Sequence, residues 1–144
     1  MNALIKQLKK YGNLTSEIET ELDKKIKTLT KQKGDFLHKE GQIVSNLFVI
    51  EKGLVRSFYK VKEREVNVWF GFENEILGSI MPLFFNQPSI ENIQFLEDTT
   101  FYYISSIDLE SLYKSSPELN TIGRKIAEEY CKILEERSFL LQTH

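Results

Sequence analysis

A single cysteine, Cys131, leaves the chain unable to form an intrachain disulfide or a four-thiolate iron-sulfur cluster, and it fits a reducing compartment. Histidine is almost as scarce. His38 and His144 are too few for the imidazole set of a cupin-type metal centre or for haem ligation, so neither metal nor cofactor is expected. Long apolar runs are missing as well: nothing reaches the roughly 18 residues of a membrane-spanning helix, and the N-terminus MNALIKQLKKYG has no apolar signal core. These absences imply a cytoplasmic location and no membrane partner. Surplus positive charge is also lacking, with a formal net charge of -2, so any contact with nucleic acid requires a local patch or another domain. Finally, there is no GxSxG, Cys131 falls in a helical pattern without a neighbouring histidine, and enzymatic activity is not expected.

What is present suffices for one domain. A hydrophobic share of 41% with 12% aromatics supports one core. Leu4, Ile5 and Leu8 stand at helical spacing before Gly12, which predicts a short helix over 2–10. A second helix is predicted from Ser16 to about Ile26, with Thr15, early glutamates and late lysines matching the helix dipole. The lysines of both helices alternate with acidic residues and read as solvated faces.

From Thr28 to Ile104 the chain changes to short Val-, Ile-, Phe- and Tyr-rich runs. Breaks at Lys33-Gly34-Asp35, Glu40-Gly41-Gln42, Glu51-Lys52-Gly53 and Lys62-Glu63-Arg64 have the spacing of an antiparallel sandwich or barrel. The best strands are Leu47–Ile50, Leu54–Tyr59, Val66–Phe70, Ile90–Leu96 and Thr100–Ile104. Arg56, on one of them, fits either a core-edge ion pair or a pocket cation. His38 sits in a turn-like segment and His144 is terminal, so both read as exposed.

The segment GFENEILGSIMPLFFNQPSIEN, 71–92, is neither helix nor strand in pattern. It fits a strand end, a tight turn at Gly78, one short helical turn and a loop that re-enters a strand, as though wrapped around something. Gly78, Ser79 and Ser89 fit turn chemistry as well as ligand chemistry. Trp69, Phe70 and Phe72 fit core packing as well as the capping of an apolar ligand. Beyond it, Ser106 is read as the N-cap of a short helix ending near Pro117. Pro117 opens a long one, with Leu119, Ile122, Ile126, Tyr130, Ile133, Leu134, Phe139, Leu140 and Leu141 at three- and four-residue steps. About 25 helical residues span near 37 Å, more than a small barrel covers. A parallel coiled coil with a second copy is the simplest partner, and a helix lying on its own barrel is the alternative.

Two helices, a β-roll with a glycine hairpin near Gly53, a cassette, a short helix and a long one follow the order of parts in the sensor domains of Crp/Fnr-type transcription regulators. The segments FVIEKGLVRSFY, WFGFENEILGS, NQPS, IQFLEDT and IAEEYCKILEERSFLL resemble, jointly and in order, the branch of that family common in Bacteroidetes. The resemblance covers nearly the whole chain. It implies a mainly β fold with flanking helices: a double-stranded β-helix (jelly roll) of the cyclic-nucleotide-binding-domain type over 1–116, then a dimerisation helix over 117–144. Complete members continue into a winged helix-turn-helix, so DNA would be reached only through a domain absent from this chain.

In members that bind cyclic AMP, a glutamate beside the cassette glycine holds the ribose and an arginine holds the phosphate. Gly78 matches that glycine, while Ser79 and Ser89 stand at the two charged positions. Loss of the charge-assisted pair removes on the order of 1.5–3 kcal/mol, so cyclic AMP is not the expected effector. The resemblance therefore implies a homodimeric, effector-sensing domain with candidate ligand residues Leu77, Gly78, Ser79, Pro88, Ser89, Ile90 and Arg56. Its candidate dimer residues are Ile122, Ile126, Tyr130, Ile133, Leu134, Arg137 and Leu141. A stand-alone binding module without DNA function is the alternative.

Overall fold

Strand pairing follows from the alternating apolar runs, each of which has a face to cover. The computed structural model describes residues 1–142, leaving out the side chains of Ile80, Met81, Leu141 and Gln142. In sequence order the strands are β1 (Lys27–Lys31), β2 (Phe36–His38), β3 (Asn46–Lys52), β4 (Val55–Val61), β5 (Arg64–Gly71), β6 (Ile76–Leu77), β7 (Asn92–Phe95) and β8 (Thr99–Ser105). They form two antiparallel four-stranded sheets within the described residues, ordered β1-β8-β3-β6 and β2-β7-β4-β5. Consecutive strands β3 and β4 lie in different sheets, as a jelly roll requires. Three of the expected breaks are turns, with Gly34, Gly41 and Lys62 at φ of 94°, 90° and 59°; at the other, Glu51 and Lys52 still belong to β3 and Gly53, at φ 134°, begins the link to β4.

β3 explains how the molecule is layered. Its run Leu47-Phe48-Val49-Ile50 is buried on both faces, so it does not alternate in polarity. Phe48 and Ile50 point between the sheets, joining Val55, Ile93, Phe95 and Phe101; Leu47 and Val49 point outward into a second core. That second core is helical. α1 (Ala3–Leu8), α2 (Ser16–Lys25), α4 (Ser106–Ser115) and α5 (Pro117–Gln142) supply Leu4, Ile5, Leu8, Leu22, Leu109, Leu112, Leu119, Ile122 and Ile126 to it. Each fully buried aliphatic chain here contributes about 1.5–3 kcal/mol of hydrophobic stabilisation.

Local chemistry sets the helix ends. Asn2 and Thr15 accept hydrogen bonds from Ile5 N (2.9 Å) and Ile18 N (3.2 Å) at the starts of α1 and α2. The cap of α4 is Ser105, which accepts from Asp108 N at 3.1 Å, and not Ser106 as its sequence position suggests. Ser106 N donates to Ser45 O at 2.7 Å, and Ser106 is already the first helical residue, so α4 begins one residue earlier than that position suggests.

β4 is covered on both of its faces in its first half. Val55, Ser57 and Phe58 are all buried, and the register with β5 shifts between Ser57 and Phe58. The unpaired residue of this bulge is Val68 on β5, and Phe58, on the face opposite Ser57, is covered by the Phe36 ring and the Arg56 guanidinium.

Candidate functional site

β6 is two residues long, and it delivers the chain to a crevice between the sheets and α5. Phe48 pairs with Leu77 and Val49 with Ile76, after which Gly78 passes close under the next helix, α3 (Ile80–Phe85). A Cβ on Gly78 would lie 2.9 Å from Leu83 Cδ2 and 3.2 Å from the Asn46 carbonyl, which is why this position takes no side chain. Ser79 O accepts from Leu83 N at 2.9 Å and starts the helical turn; Asn86, at φ 53°, ends it. Ser89 is then pinned by its backbone, donating to Gln42 O (2.9 Å) and accepting from Gly41 N (2.8 Å).

A buried polar cluster lies at the floor. Ser57, Ser79, Ser89 and His38 are 0%, 4%, 3% and 1% exposed, and their hydroxyls and ring converge on Glu91. Ser79 Oγ donates to Glu91 Oε1 at 2.7 Å, while Ser57 Oγ and Trp69 Nε1 (3.2 Å) donate to Oε2. Register makes this possible, because Ser57 and Trp69 are cross-strand partners on β4 and β5. Ser89 Oγ donates to the Glu91 carbonyl at 2.8 Å. With both hydroxyl protons committed, Ser79 and Ser89 face His38 Nε2 (3.0 and 3.1 Å) with lone pairs, so Nε2 carries the proton. His38 Nδ1 is left buried without a partner among the described residues. Burial pushes the His38 pKa below its ordinary value, against the pull of the Glu91 charge.

Above this floor is a cleft of about 260 Å3, walled by β5, β6, the cassette and α5. Its lining is largely apolar, with Trp69, Phe70, Ile76, Leu77, Pro82, Ile90 and Ile133, and its charged residues are Glu75, Glu91 and Arg137. Tyr130 holds α5 against the wall: its hydroxyl donates to Ile76 O at 3.0 Å and its ring meets Phe84 edge-on at 6.2 Å. Burial raises the Tyr130 pKa strongly.

Leu77, Gly78, Ser79, Ser89 and Ile90 all line this cleft. Pro88 does not; it is exposed outside it. Arg56 is no pocket cation. It lies over the Phe58 ring and donates to Gln94 (2.7 Å) and Glu65 (2.8 Å), the core-edge ion pair of the two alternatives. Ile122 and Ile126 need correction as candidate dimer residues: at 0% and 5% exposure they are spent in the chain's own helical core. Tyr130, Ile133, Leu134 and Arg137 line the cleft instead of lying wholly outside it. The side chain of Leu141 lies outside the described residues, as does His144. His38 is the opposite of its expectation, a buried β2 residue and not an exposed turn residue.

Glu91 escaped sequence reading altogether. It lies just ahead of β7, outside any strand, so no periodicity marks it in the sequence.

Among the described residues no group of three His, Cys, Asp or Glu side chains could hold a metal ion, and no helix is long and apolar enough to cross a membrane. The cyclic nucleotide-binding domain family matches residues 29–116, more than half of the chain. Against curated protein sequences the chain has no significant match. Solved structures share its fold. The catabolite activator protein of Thermus thermophilus superposes with a TM-score of 0.76 at 18% identity over 94% of this chain, which spans 62% of that protein. The N-terminal domain of a transcriptional regulator from Streptomyces coelicolor A3(2) gives 0.72 at 22% identity, covering 91% of both chains. The sensor domain of the transcriptional regulator DNR from Pseudomonas aeruginosa gives 0.72 at 13% identity, covering 91% of this chain and 85% of that one. A roll of two antiparallel sheets, a cassette enclosing a cleft and a long C-terminal helix agree with the family match, and the chain belongs to the cyclic nucleotide-binding domain family.

Proposed function

We propose that this chain is the effector-sensing and dimerising part of a Crp/Fnr-like transcription regulator, that it catalyses no reaction, and that its effector is not cyclic AMP. The observation that carries this reading is the placement of α5. Ile122 and Ile126 anchor its first half in the core, while Tyr130, Ile133, Leu134 and Arg137 on the following turns wall the cleft. A molecule in the cleft touches the helix directly, and it biases the helix if it fits one position better than another. Further along, Phe139 is 66% exposed and Leu134 45%, apolar surface that pairing with a second copy would cover. DNA contact would belong to a domain outside this chain.

Two features argue against cyclic AMP. Serines stand where the charged ligands of cyclic AMP binders are expected, and a phosphodiester brought to Ser79 would meet the Glu91 carboxylate, a like charge. Trp69, the only tryptophan, reports on the site because its indole lines the cleft and bonds Glu91. Millimolar cyclic AMP is expected to leave its fluorescence without a saturable change. Native mass spectrometry of the protein from its own cells is expected to give a dimer retaining a small molecule. A monomer that carries nothing, or tight cyclic AMP binding, would overturn the reading.

A further inference from the structure

The floor of the cleft holds a charge without a counter-charge. Glu91 is half-buried, its three side-chain donors Ser57, Ser79 and Trp69 are all neutral, and it enters no ion pair among the described residues. His38 does not neutralise it, since its Nε2 is directed to the two serine oxygens and burial favours the uncharged ring. Carboxylates removed from water are ordinarily matched by a cation, and about four lone-pair sites exist on a carboxylate that here receives three donors. One site is open. That site is on Oε1, which receives only the Ser79 hydroxyl, while Oε2 takes both Ser57 and the N–H edge of Trp69. The charged lining is acidic on balance, Glu75 and Glu91 against Arg137, and the rest of the wall is apolar. At about 30 Å3 per water, 260 Å3 is room for roughly nine waters, hence for a compact molecule.

We propose that the cleft takes a small organic amine, with its protonated nitrogen donating to the Glu91 Oε1 oxygen and its hydrocarbon body against Leu77 and Ile133. This rests on the reading of the cleft as the sensing site and names the chemical class it senses. A cation there completes the charge pairing that the fold leaves undone, and its body contacts α5.

The probes are 2-phenylethylamine, its neutral counterpart 2-phenylethanol and the anionic 3-phenylpropanoate. Each is titrated into the intact chain at neutral pH by calorimetry and Trp69 fluorescence. The amine is expected to bind at least about tenfold more tightly than the alcohol, with the preference shrinking as salt rises, and the carboxylate is expected not to saturate. Glu91→Gln should abolish the preference and leave alcohol binding in place. Its thermal melt verifies folding, and if it does not fold, the wild-type ratio and its salt dependence decide alone. Equal affinities for amine and alcohol, or preference for the carboxylate, would overturn the amine assignment while leaving the sensing reading intact. Saturation by none of the three overturns it as well. The sensing reading falls separately, on a monomer with no retained molecule.

Discussion

Ile122→Ala separates the two halves of α5. Ile122 is 0% exposed, and its Cγ1 would lie 3.1 Å from a Cβ placed on Gly12, so it packs against backbone between α1 and α2. Backbone cannot swing in to refill the space, which places the cost in the middle of the 2–5 kcal/mol range for such truncations, about 3–4 kcal/mol. That is a large share of the roughly 5–15 kcal/mol of a typical domain. At about 2–4 °C per kcal/mol for a chain of this length, the melting temperature should fall by about 10 °C. Leu134→Ala, at 45% exposure, is expected to cost under about 1 kcal/mol in the same measurement but to weaken self-association. Urea unfolding followed by Trp69 fluorescence at several protein concentrations, together with sedimentation equilibrium, reads both quantities. The reasoning is refuted if Ile122→Ala leaves unfolding within about 1 kcal/mol of wild type while dimer dissociation rises tenfold, because that face would then belong to the partner.

Tyr130→Phe removes the donor to Ile76 O and keeps the ring on Phe84, so about 1–3 kcal/mol should be lost and the response of α5 to ligand should loosen, read by urea titration and hydrogen exchange of the helix. His38, with its folded pKa held below the unfolded value of about 6.5, contributes stability that is complete above about pH 6.5 and declines as pH drops from there toward the folded pKa. His38→Gln should flatten that acid slope; an unchanged slope would assign it to other groups. Tyr11, raised to about 12 by burial and by its 2.7 Å bond to Glu129, contributes stability present below about pH 10 and lost as pH rises toward 12, and Tyr11→Phe should remove a phenol that ionises near pH 12 from an alkaline absorbance titration. Gly78→Ala forces Leu83 and the Asn46 backbone apart, at about 1–3 kcal/mol, and should disturb the cleft before the core; unchanged Trp69 emission and stability would contradict the close approach.

The candidate site was legible only in part. The segment around Gly78 stood out because a turn-rich stretch interrupts strand patterns on both sides, a local signal, while Ser79 and Ser89 were marked by the family resemblance. Their chemistry was not local. His38 reaches Ser79 across 41 residues and Ser89 across 51, and Ser57 reaches Glu91 across 34, so the cluster exists only once β2, β4 and β7 lie side by side. His38 looked like a loop residue because β2 is three residues long and has no period of its own to display. On α5 the apolar stripe was plain, yet periodicity cannot say whose surface covers it. The first half proved to belong to the chain's own core and the next turns to the cleft.

Apolar alternation, the break signals and the helical stripes were enough, by themselves, to indicate an antiparallel sandwich or barrel followed by a long helix, since each is a property of a few consecutive residues; the jelly roll was implied by the family resemblance. Tertiary structure alone decided that a carboxylate lies under three neutral donors at the bottom of the cleft, and that Arg56 faces away from it. Strand register and the bulge at Val68, next to the Ser57–Trp69 pair, set those contacts, and register is a matter of which distant strand pairs with which, a choice the chain makes only on folding.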